Sequence, residues 1–130
     1  MVTDPISDFI TRIKNASDAG KEIVSIPHSN LKESIAHILL KAGYVSAVES
    51  KGKKIGKTLE IKISYIGNES KIHGIDRISK PSRRLYQKSK DIIMFKSGFG
   101  NTVLSTPQGI MIDADAKKAK VGGEILFKIW

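Results

Sequence analysis

Apolar residues recur every three or four positions at Ile6, Phe9, Ile10 and Ile13, so the chain is predicted to open on an amphipathic helix. Asp4 suits its cap and Pro5 its first turn, where a missing N–H costs nothing. Ala19-Gly20 ends it, and Arg12 and Asn15 fall away from the apolar stripe, toward solvent or a partner. Residues 22–26 read as a short strand halted at Pro27. Helical spacing returns at Leu31, Ile35, Ile38 and Leu39, with Asn30 and Glu33 spaced as a capping box and Gly43 closing the helix. Strands follow at 44–49 and 58–66. In the second, Leu59, Ile61, Ile63 and Tyr65 alternate with Glu60, Lys62 and Ser64, which predicts one buried and one wet face. A Lys/Gly-rich loop at 50–57 joins them, and the N-terminal half reads α-β-α-β-β.

The second half is strand-rich. Residues 71–78 read as a strand, and 80–84 as a turn around Pro81. Residues 92–95 are too short a run to classify. Short strands at 102–105 and Gly109–Ile112 pair across a turn at 106–108. Asp113 is placed to cap a short helix through Ala119, and 123–130 form a terminal strand. The fold class is α+β, with an N-terminal α/β lobe at 1–67 and a strand-rich C-terminal lobe with a short helix at 68–130. The junction near Asn68 holds nothing long enough to be a flexible linker.

At 130 residues, folding removes roughly two-thirds of the unfolded surface from water, so no metal or disulfide staple is required. With 27% charged residues and no long apolar run, a membrane-spanning protein is not expected. The start, Met1-Val2-Thr3-Asp4-Pro5, lacks the basic-then-apolar pattern of a secretion signal. The absence of cysteine excludes disulfides and thiolate chemistry. Charge says more. The net charge is +9, with ten Lys/Arg against seven Asp/Glu in residues 1–66 and twelve against six in 67–130. Such an excess is the electrostatic footprint of a nucleic-acid binder, and a basic solubility face gives the same number.

Three segments carry candidate chemistry. Between Arg77 and Lys90, six of fourteen residues are basic and none is acidic. There Arg83 and Arg84 suit phosphate oxygens and Tyr86 an unpaired base, unless the run is simply a solvated face. Ser105-Thr106-Pro107-Gln108-Gly109 offers small donors and acceptors, although an ordinary hairpin turn uses the same residue types. Gly122-Gly123-Glu124 lets a strand begin tight against a neighbouring helix end, or exposes main-chain N–H groups to an anion. Glu124 repels phosphate, but it can accept from a base amine or a 2′-hydroxyl, or position the turn. His28, His37 and His73 are scattered without metal-site spacing, and Gly98-Phe99-Gly100 is too short for a phosphate loop. No triad or paired-carboxylate arrangement stands out, so neither an enzyme nor a cofactor is expected. The classes left open are an RNA or DNA binder, a small hydrolase using His28 or His73 with a nearby acid, and a protein-interaction module.

Residues 104–124 (LSTPQGIMIDADAKKAKVGGE) resemble the C-terminal signature of the small-subunit ribosomal protein eight family, in its bacterial type. Residues 3–15 (TDPISDFITRIKN), Ser29-Asn30-Leu31-Lys32 and 78–86 (ISKPSRRLY) extend the likeness, in order, over essentially the whole chain. The resemblance implies two small packed α/β lobes and primary binding to the central domain of small-subunit ribosomal RNA. The site would be a helical, internally looped region, beside neighbouring ribosomal proteins in a cytoplasmic or organellar ribosome. By that likeness Ser105 and Thr106 enter the irregular RNA loop, with Pro107 and Gln108 in the same turn. Tyr86, Gly123 and Glu124 match positions around that surface, while Asp4, Thr11, Arg12, Asn15, Ser29, Asn30 and Lys32 match N-terminal positions. Family members often also bind a similar fold in their own messenger RNA and repress its translation. Three departures stand out: Pro107 for a usual serine, Ile112 for threonine and Ser82 for glycine.

Overall fold

A computed structural model describes residues 5–52, 56–67, 69–79, 83–92 and 100–130. The expectations for Asp4, for the turn at Lys80, Pro81 and Ser82, for most of 92–95 and for Gly98-Phe99 lie outside the described residues. The described residues form an α+β fold in two compact units, Pro5–His73 and Gly74–Trp130. None of their helices is long and apolar enough to cross a membrane.

In the first unit, helix α1 (Pro5–Asp18) buries Ile6, Phe9, Ile10 and Ile13, the predicted stripe. Strand β1 (Ile23–Pro27) buries Val24 and Ile26 and sits at a sheet edge, where Pro27 removes no needed donor. Helix α2 (Asn30–Ala42) buries Ile35, Ala36 and Leu39. Leu31 has the spacing of that face but is 40% exposed, because periodicity fixes a face and not how far neighbours cover it. The helix ends on Gly43 in the left-handed region, φ 90°, as its position predicted.

Strands β2 (Val45–Lys51) and β3 (Thr58–Ile63) complete an antiparallel sheet in the order β1-β3-β2. Leu59, Ile61 and Ile63 are buried as the alternation requires. The expected strand 58–66 is divided, since Tyr65–Ile66 (β4) leaves β3 to pair with Glu69–Ser70 (β5). The Ser17 hydroxyl holds that hairpin, donating to Ser70 Oγ at 2.5 Å and to the Ile72 carbonyl at 3.5 Å. Residues 69–73 therefore pack with the first unit, which runs to His73.

The second unit is built around its last strand. Strands β6 (Ile75–Arg77), β7 (Tyr86–Gln87), β8 (Asn101–Thr106), β9 (Gly109–Ile112) and β10 (Gly123–Ile129) form one sheet. On one side β10 pairs with β6 and β7 at its two ends, and on the other with β8, which in turn pairs with β9. The predicted strand 71–78 is reduced to β6, because residues up to His73 belong to the other unit. A bulge between Ile125 and Phe127 breaks the simple alternation, so Leu126 and Phe127 are both buried. The Leu126 carbonyl accepts from Arg77 Nη1 at 2.5 Å and from the Ile78 amide at 3.2 Å. Helix α3 (Asp113–Ala119) packs on β8 and β9. Asp113 is its first residue rather than its cap, and the carboxylate Oδ1 accepts from the Ala114 amide at 3.0 Å.

Candidate nucleic-acid interface

The register of three strands sets Tyr86 opposite Glu124, and Glu124 opposite Ser105. Residues directly opposite in an antiparallel ladder share a face, so these three side chains form one row across β7, β10 and β8. They are 19 or more residues apart in the chain, and only the sheet brings them together. Around the row lies a groove of about 750 Å³, bounded also by Gln87, Lys88, Ser89, Pro107 and Gly122-Gly123. Tyr86 is 69% exposed, so its ring is open to a partner.

The two glycines let the strands close. A Cβ on Gly123 would run into the Ser105 carbonyl oxygen and lie 2.8 Å from its carbon. One on Gly122 would run into the Gln87 carbonyl oxygen and lie 2.8 Å from Lys88 Cα. Both obstacles are backbone, so no rotamer change relieves them. Of the two roles open for this pair, the tight strand start is the one observed, but against the backbone of neighbouring strands rather than the expected helix end.

The turn between β8 and β9 is held from within. Thr106 is only 9% exposed; its Oγ1 donates to the Gly109 carbonyl at 2.7 Å and accepts from the Gln108 amide at 3.2 Å. That hydroxyl is committed to turn geometry, whereas Pro107 and Gln108 are exposed at the tip. Ser105, half-buried, faces the groove.

Arg83 and Arg84 are exposed. The segment behind them is fixed by Ser79, fully buried, whose hydroxyl donates to the Leu85 carbonyl at 3.2 Å and accepts from the Leu85 amide at 2.9 Å. Arg84 Nη1 stands 3.9 Å from Glu124 Oε1. The pair is loose and worth little to stability, but it sets a positive charge beside the Glu124 carboxylate at the groove. Arg83 does not line the groove.

The remaining residues lie in the first unit. Thr11, Arg12 and Asn15 share an exposed side of α1, and Arg12 Nε pairs with Asp8 Oδ2 at 3.1 Å. At the start of α2 the cap is Ser29, not Asn30. Ser29 is extended (φ −149°, ψ 156°) and its hydroxyl accepts from the Lys32 amide at 3.2 Å, so the cap moves by one residue and the expected Asn30–Glu33 box does not form. Asn30 is already helical and exposed. Glu33, freed from the expected box, meets His28 Nε2 at 3.2 Å. The hydrogen bond from His28 holds the Glu33 carboxyl below its ordinary range, helped by the charges of His28, Lys57 and His37.

A lowered folded-state value means this contribution is present above the ordinary carboxylate range and is lost as pH falls through the folded value. His28→Ala is expected to move the Glu33 titration upward, read by carboxyl NMR shifts; an unmoved titration contradicts the contact. Among the described residues, no three His, Asp or Glu side chains gather as metal ligands.

Residues 4–130 match the family described as Ribosomal protein S8. The chain belongs to the ribosomal protein S8 family. Among its relatives is small ribosomal subunit protein uS8 of Mycoplasmopsis synoviae (strain 53), 48% identical over 99% of this chain and 98% of the relative. The protein of the same name from Persephonella marina (strain DSM 14350 / EX-H1) is 46% identical over the full length of both. That from Corynebacterium efficiens is 41% identical over 99% of this chain. In this S8-family chain the sheet register gathers Tyr86, Ser105, Pro107, Gly123 and Glu124 at one groove. Gln87, Lys88 and Ser89 join them without having been singled out by sequence. Their only advance signal was membership of the basic run.

Proposed function

We propose that this chain is a structural, non-enzymatic constituent of the small ribosomal subunit that binds ribosomal RNA through the groove on β7, β8 and β10. The observation that carries the reading is the Tyr86–Glu124–Ser105 row, set by a glycine pair in a chain of net charge +9. Each member has a role by its chemistry. The exposed Tyr86 ring is a platform for an unpaired base. The Glu124 carboxylate accepts from a base amine or 2′-hydroxyl, and Ser105 supplies a small donor where a long side chain would collide. Arg83, Arg84, Lys88 and Lys90 supply phosphate contacts that raise affinity without selecting sequence. In the first unit Thr11, Arg12, Asn15, Ser29, Asn30 and Lys32 form a second RNA-facing set, for which the support is family resemblance and exposure. Asp4 belongs to that set by resemblance alone.

The target proposed is an internally looped stem of the central domain of small-subunit RNA, because an uninterrupted A-form duplex offers no splayed base to a ring and a carboxylate. Footprinting the naked small-subunit RNA with purified protein tests this. Protection confined to one looped central-domain stem is expected, and protection spread over regular duplex overturns the reading.

A further inference from the structure

Lys120 is the only residue other than glycine with a positive φ among the described residues, at φ 58° and ψ 39°. It caps α3, and the left-handed geometry lets its own amide reach the Lys117 carbonyl at 3.2 Å and the Val121 amide reach that of Ala116 at 3.0 Å. At the matching place on α2 the same demand is met by Gly43. Glycine takes this conformation without steric cost and lysine does not. The fold thus asks for glycine at both caps and receives it at one. A residue kept against its backbone preference points to a use for its side chain.

The surroundings say what that use is. Lys117, Lys118 and Lys120 are all exposed and form no ion pair among the described residues. Helix α3 packs against the single 3₁₀ turn Ser89–Asp91, which begins directly after Lys88 in the groove wall. From Lys120 the chain passes through Val121 to Gly122, which lines the groove. Three cations, unpaired among the described residues, therefore stand on or just after a helix that packs on the turn following Lys88 and leads through Val121 into Gly122. Lysines in a last helical turn also favour the negative end of the dipole, but Lys117 and Lys118 already satisfy it without a strained residue.

We infer that Lys120 is a phosphate-contacting residue that, with Lys117 and Lys118, carries the RNA-binding surface beyond the groove onto α3. The inference rests on the RNA-binding reading above. It is tested with Lys120→Gly, Lys120→Ala and Lys120→Arg, comparing binding to the looped stem across a salt series with thermal unfolding. Loss of one phosphate contact should flatten the dependence of log affinity on log salt by about 0.7–0.9 in both the Gly and Ala variants, while Arg keeps the wild-type slope. Lys120→Gly, relieved of its strain, should unfold at a higher temperature than wild type, whereas Lys120→Ala should not. Weaker binding with a more stable fold is the signature expected. Unchanged slopes in both the Gly and Ala variants overturn the inference while leaving the groove intact. A wild-type protein that ignores the looped stem brings down the RNA reading itself.

Discussion

Gly123→Ala is expected to unfold or severely loosen the second unit and to remove its preference for a looped stem. The added methyl meets the Ser105 carbonyl on the neighbouring strand and lies 3.1 Å from Thr106 Cα, so β8 and β10 must part at the pairs that align Glu124 with Ser105. Overpacking a well-fitted site costs roughly 1–3 kcal/mol, and a collision with backbone on a central strand belongs at or above the top of that range. Gly109→Ala is the internal comparison. It has φ +116° but no heavy atom within 4 Å of the new methyl, so only conformational strain is added. Chemical denaturation of both variants, alongside RNA binding, separates crowding from strain. A Gly123→Ala protein with a wild-type midpoint contradicts the close strand approach.

Thr106→Ala carries the second largest expected effect, on binding more than on stability. Its hydroxyl bridges Gln108 and Gly109, both exposed, so water can replace the lost partners and the stability cost stays near 1 kcal/mol. Without the bridge, the turn no longer holds Pro107 and Ser105 at the edge of the groove. The scale for specific polar recognition, about 1–3 kcal/mol, then applies to RNA affinity. Thr106→Ser keeps the oxygen and should retain most of the affinity. Equal loss in both variants would show that the methyl, not the hydroxyl, sets the turn; wild-type affinity in Thr106→Ala would remove the turn from recognition altogether.

Local physics made the first unit legible. The stripe Ile6, Phe9, Ile10, Ile13, the alternation Leu59, Ile61, Ile63 and the closing Gly43 each follow from one element's own period or end. The errors lay where a second element decides the outcome. Leu31 has the right spacing but only partial cover, and the run 58–66 breaks because Tyr65 and Ile66 pair with residues beyond it. The candidate site divides the same way. Its residue types could be read from the basic run, the hydroxyl turn and the glycine pair. Their assembly into a Tyr86–Glu124–Ser105 row depends on the register of β10 against two partners, and its bulge at Ile125/Phe127 shifts that register in a manner that alternation cannot show. Ser79, which anchors Leu85 just ahead of Tyr86, gave no sequence signal because a buried serine looks like any other.

The most direct measurement is a competition between the looped central-domain stem and an uninterrupted duplex of equal length, repeated across a salt series. Both RNAs should lose affinity with salt, at a slope near −4 if about five phosphates are neutralised. The looped stem should nonetheless be held on the order of 10³-fold tighter at every salt concentration, because the groove contacts are not made by counterion release alone. Equal affinity for the two RNAs would contradict the account, leaving a basic surface with no groove that selects.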